Sequence, residues 1–155
     1  MNVKYVNPFI DATLKVFETF LQTPAKTGKP YLLDRNTDKS SWDISGVIGL
    51  AGEILGVVII SFPTSLALKL VSFLEKRETK IMDDSVIDMV GEIINIIAGN
   101  AKAGLEEHKI AISLPTVVRG SRHSFPGISG AAMVAIPFTC DKGEFSLQVS
   151  MKELM

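Results

Sequence analysis

Residues 83–107 read DDSVIDMVGEIINIIAGNAKAGLEE, and everything else in the chain is most easily placed around them. At about 100° per residue, Val86, Met89, Val90, Ile93, Ile94, Ile97, Ala101 and Leu105 share one broad arc, which predicts a helix laid on a core. Ser85, Asp88, Glu92, Asn95, Gly99, Lys102 and Glu106 fall on the opposite side at steps of three and four. Glu92 and Asn95 are therefore neighbours on a polar stripe. Asp83 or Asp84 is the expected N-cap, and the helix is expected to run to about Glu107. Two residues do not suit a merely solvated face. Gly99 lies in the stripe, where a mid-helix glycine costs about 1 kcal/mol relative to alanine, and Gly91 repeats the cost. Glycine lets another backbone come close, and Ile96 at the stripe's edge would help hold it. Asp88, Gly91, Ile96, Gly99 and Lys102 thus read as a docking surface around Glu92 and Asn95.

Upstream, Ser61 reads as the cap of a helix with Pro63 in its first turn, running to about Lys76 through Leu66, Leu70, Phe73 and Leu74. Before it, residues 42–62 hold two β-branched runs around Gly52-Glu53, the pattern of a hairpin. Residues 23–41 are rich in Pro, Gly, Lys and Asp and read as loop, with a short strand near 31–33. A first helix is expected from Asn7-Pro8 to about Leu21. Downstream, 109–118 is strand-like and 119–127 a polar loop, and 129–138 with 144–151 form a second hairpin across Asp141-Lys142-Gly143. Ser45-Gly46 and Ser129-Gly130 each open a hairpin, an echo that suggests two related halves. The expected fold is α+β, a central, mainly antiparallel sheet built from two hairpins with long helices packed on it.

Composition narrows the function. At 155 residues the chain is read as one domain, 1–155, long enough to bury its own core. Sixteen Lys+Arg nearly balance seventeen Asp+Glu, which gives no general affinity for nucleic acid or a membrane surface. One cysteine, Cys140, excludes an internal disulfide and a metal site built on several cysteines. The longest apolar run, 54–60, is far short of the about 20 residues that span a bilayer, and the first twenty residues lack a signal peptide's order. A cytoplasmic protein is expected.

A Glu followed three residues later by an Asn recurs by chance in chains of this length, so the bare pair says little. The full stretch Gly91-Glu-Ile-Ile-Asn-Ile-Ile-Ala-Gly-Asn-Ala-Lys102 says more. It resembles the signature helix of the CheC/CheX family of chemotaxis phosphatases across twelve consecutive positions, and the order of elements resembles that family throughout. The resemblance implies hydrolysis of the phosphoaspartate of a CheY-type response regulator. Asn95 would orient the attacking water, and Glu92 would pair with a lysine of the regulator's active site. The Mg²⁺ would be the regulator's, with no cofactor or metal supplied by this chain. CheC proteins carry two such motifs and CheX one. The helix expected over 64–76 sits where a first copy would be but holds Leu66, Lys69 and Ser72, so the single motif favours the CheX branch, typically a homodimer.

Two rivals belong to other classes. A CheX-like adaptor would dock a regulator or signalling partner without catalysis, although the intact Glu/Asn pair speaks for chemistry. A hydrolase using Ser129 and His123, near Ser121 and Ser124, lacks the second glycine of a nucleophile elbow and a placed acidic partner. His108 reads as a helix-end residue, and Cys140, with no basic helper nearby, as an inert thiol. The glycines at 46, 49, 52 and 56 read as close strand packing and turns.

Overall fold

A computed structural model describes residues 3–33, 42–120 and 125–154. Among them the order is α1 (Val3–Thr19), β1 (Lys26–Thr27), β2 (Tyr31–Leu32), β3 (Ile44–Gly52), β4 (Ile54–Phe62), α2 (Thr64–Glu75), α3 (Asp84–Ala103), β5 (Ile110–Ile112), β6 (Thr116–Arg119), β7 (Val134–Cys140) and β8 (Gly143–Glu153). The strands form one antiparallel sheet. The two long hairpins, β3–β4 and β7–β8, lie side by side through the β4–β8 pair. Fold class and both hairpins are as expected from the sequence.

The two-halves reading holds in a different form. Helix α1 leads into β1, β2 and the β3–β4 hairpin, and α3 leads into β5, β6 and the β7–β8 hairpin. The short strands are exchanged: β1 and β2 pair with β7, while β5 and β6 pair with β3. By this topology the first-half counterpart of α3 is α1, not the 64–75 helix. The Ser-Gly echo is not a structural one either. Ser45 and Gly46 lie within β3, whereas Ser129 and Gly130 form a turn before β7.

Helix α1 begins a turn before Asn7, with Pro8 inside it. The proline removes one interior hydrogen bond, but burial of Tyr5 and Val6 holds the added turn against the core. Ser61 is not a cap. It stays in β4, where its hydroxyl hydrogen-bonds that of Ser45 at 2.7 Å. Helix α2 is capped from a distance, since the Asp43 carboxylate accepts from the Thr64 N–H at 2.7 Å and from the Thr64 hydroxyl at 2.9 Å. Asp83 caps α3 as expected, accepting from Ser85 and Val86. The helix ends at Ala103, four residues before Glu107. At Gly104 a Cβ would stand 2.9 Å from the Pro8 Cβ, so α1 closes off that end.

The core lies between the helices and the sheet. Phe17 stacks on Phe145 at 4.2 Å between ring centroids, and Phe145 stacks on Phe138 at 5.0 Å. On the other sheet face Ser146, Gln148 and Ser150 alternate with Phe145, Leu147 and Val149. Ser150 is fully buried, and its hydroxyl is satisfied there by accepting the Ile128 N–H at 2.9 Å. Gly52 turns the first hairpin at φ 127°, a conformation reserved in practice for glycine.

Candidate functional site

Helix α3 buries Val86, Met89, Val90, Ile93, Ile94, Ile97, Ala98 and Ala101 and exposes Asp88, Glu92, Asn95, Gly99 and Lys102. The helical wheel thus assigned both faces correctly. The buried face rests on β3, where a Cβ at Gly46 would sit 3.0 Å from Ile94 Cγ2 and 3.2 Å from the Val90 carbonyl oxygen. The polar stripe is therefore carried on a helix seated backbone-to-backbone on the sheet. Such a mount holds side chains more tightly than a loop does.

Glu92 and Asn95 line one shallow, open depression with Asp88, Gly91, Ile87 and Pro115. Among the described residues neither side chain has a hydrogen-bond or ion-pair partner within the chain. Unspent donors and acceptors on a rigid, exposed helix are free to engage another molecule.

The docking residues separate into two groups. Asp88 and Gly91 join the depression. Gly91 is half-buried, and a Cβ there would meet Val117 Cγ2 at 3.5 Å and Pro115 Cγ at 4.0 Å, so it also serves the packing of α3 on β6. Gly99 and Lys102 lie further along the exposed stripe, and a Cβ on Gly99 would have nothing within 4 Å. Ile96 is only partly exposed, its side chain packed against the core. Its half-buried place at the stripe's edge is the one expected from the sequence.

Sequence reasoning missed Ile87 and Pro115. Ile87 sits at the border of apolar arc and polar stripe, where periodicity does not decide. Pro115 was hidden in a segment read as one strand, although a proline inside a strand is itself a sign of an edge or a bulge. Its segment is broken into β5 and β6, with 113–115 between them.

The fold is that of a known family. Residues 44–139 match the family described as Chemotaxis phosphatase CheX. The protein named CheY-P phosphatase CheX of Thermotoga maritima is 30% identical over 98% of both chains. The chain belongs to the CheX family. A solved CheC-like superfamily protein from Shewanella sp. PV-4 superposes with a TM-score of 0.89 at 30% identity, covering 98% of this chain and 99% of that one. The CheX of a CheX-CheY-BeF3-Mg²⁺ complex from Borrelia burgdorferi superposes with a TM-score of 0.78 at 27% identity, over 96% of this chain and 98% of that one.

Among the described residues of this CheX-family chain, no other candidate chemistry is assembled. Ser121, His123 and Ser124 lie outside the described residues, and Ser129 is an exposed turn residue. Among the described residues no three His, Cys, Asp or Glu side chains converge, and no helix is long and apolar enough to cross a membrane. Cys140 is a half-buried free thiol at the end of β7. His108 lies beyond α3, with its Nε2 3.3 Å from the Tyr5 hydroxyl, which donates to Glu153 at 2.6 Å.

Proposed function

We propose that this CheX-family protein hydrolyses the phosphoaspartate of a CheY-type response regulator, with Glu92 and Asn95 as its working pair. The observation that carries the reading is that these two side chains stand side by side, exposed and without partners among the described residues, on a helix anchored to the sheet. Phosphoryl transfer needs little covalent work from the protein and responds mainly to positioning and charge. An amide both accepts and donates, so Asn95 can accept from the attacking water while donating to a phosphoryl oxygen. Glu92 can pair with a lysine of the regulator's site, which sets the register between the two proteins. Asp88 adds a second negative charge within the same depression. The Mg²⁺ enters with the regulator, as part of the substrate.

On this reading residues 1–155 work as one cytoplasmic domain. The chain carries a single motif, because α1, the counterpart of α3, presents Asn7, Asp11 and Glu18 but no Glu-x-x-Asn pair. A homodimer would then hold one site per subunit.

The test is the decay of phosphorylated regulator from the same cells in excess Mg²⁺. Wild type is expected to speed the decay. Asn95→Ala is expected to lose roughly a hundredfold or more of that acceleration while still binding the regulator. If wild type binds but leaves the decay unchanged, the protein is an adaptor, and the catalytic reading falls.

A further inference from the structure

We propose that Leu114 is an apolar contact residue for the phosphorylated regulator, pushed out beside the Glu92/Asn95 depression by a β-bulge; the inference rests on the function proposed above.

The bulge is visible in the register. Strand β3 pairs Leu50 with Ile112 of β5 and Val47 with Thr116 of β6. Between these pairs β3 has Ile48 and Gly49, while the partner has Ser113, Leu114 and Pro115. Ser113 still bonds Gly49, its N–H donating to the Gly49 carbonyl at 2.9 Å. Leu114 and Pro115 are left opposite Ile48 alone. Two residues facing one is the defining count of a bulge, a device found at sheet edges and beside active sites that re-aims a side chain.

The bulge is pinned rather than loose. The Ser113 hydroxyl accepts the Gly49 N–H at 2.8 Å and donates to the Leu114 carbonyl at 3.0 Å. Its two apolar residues then differ in exposure. Pro115 turns inward against Gly91 and helps line the depression. Leu114 is left 87% exposed, the most open of the large apolar side chains described. A singly exposed leucine is ordinary. One held outward by a fixed bulge, next in sequence to a residue lining the site, is placed for contact with whatever covers that site.

The occupant follows from continuity. A regulator seated over Glu92 and Asn95 covers the depression that Pro115 lines, and Leu114 is the next residue to Pro115 in the chain. A second copy pairing along the β5–β6 edge is the competing occupant, but a bulge interrupts the row of backbone groups that such pairing requires. Leu114 would supply dry contact area at the edge of an otherwise polar, acidic site.

The experiment titrates full-length protein with the regulator, activated by beryllofluoride and Mg²⁺, and compares wild type, Leu114→Ser and Leu114→Met. Leu114→Ser is expected to raise Kd about tenfold or more, at unchanged Tm because the side chain packs on nothing. Leu114→Met is expected to stay near wild type. Equal Kd for wild type and Leu114→Ser overturns the inference and leaves the proposed function standing. So does a Leu114→Ser variant whose oligomeric state changes while its Kd does not, since Leu114 would then belong to a contact between copies. A wild type that does not bind the activated regulator defeats the proposed function and this inference with it.

Discussion

Replacing Gly46 by valine tests whether the seating of α3 governs both stability and the site. A Cβ at this position lies 3.0 Å from Ile94 Cγ2, 3.1 Å from Val90 Cγ1 and 3.2 Å from the Val90 carbonyl oxygen. The two methyl groups can turn aside, but the carbonyl oxygen belongs to the helix backbone and moves only with α3. Overpacking of this kind costs about 1–3 kcal/mol. The loss of glycine's freedom in the unfolded chain offsets about 0.4–1 kcal/mol of that. The net is a destabilisation of up to about 2.6 kcal/mol, which for 155 residues lowers Tm by up to about 10 °C. Function should suffer beyond stability, because a displaced α3 carries Glu92 and Asn95 with it, and an error of about 1 Å in a catalytic group costs about a hundredfold in rate. Thermal unfolding and regulator dephosphorylation, measured well below Tm, read the two effects separately. Gly99→Ala is the control: with nothing within 4 Å of the new methyl group, it should gain about 1 kcal/mol of helix propensity. A Gly46→Val protein as stable as wild type, with full activity, would refute the claim that this contact positions the site.

Asp43→Ala removes the acceptor for both the Thr64 N–H and the Thr64 hydroxyl. It should cost about 1 kcal/mol, or about 2–4 °C in Tm, by thermal unfolding. The Tyr5 hydroxyl is held above its usual 10.0, first because it donates to Glu153, then by burial and by the negative charge of Glu153 and Glu107. Its stabilisation is therefore complete below pH 10 and is lost as pH rises through the raised value, where the unfolded tyrosine has already released its proton. Urea melts of wild type and Tyr5→Phe should differ most below pH 10 and converge above it; a constant gap would sink this assignment.

The two faces of α3 were legible because they are written in a local period. A helix of twenty residues shows its buried and exposed faces through spacing alone, and Glu92, Asn95, Asp88, Gly99 and Lys102 were placed on the correct side. The hairpins were legible for the same reason, through β-branched runs broken at turns. Ile87 was not, since a residue at the border of two faces is assigned by the neighbour that covers it.

By itself, then, the sequence determined the elements with a period of their own: one amphipathic helix bearing a Glu/Asn pair, two hairpins and an α+β class. Tertiary structure alone decided what depends on partners distant in the chain. The two-residue strand Lys26–Thr27 has no pattern to read and exists because β7 supplies its hydrogen bonds. The cap of α2 comes from Asp43, 21 residues before the Thr64 it caps, and not from the nearby Ser61. The bulge at Leu114 appears only when β5 and β6 are counted against β3. Backbone groups must be paired wherever the fold buries them, and the chain pairs them with whatever the packing brings near.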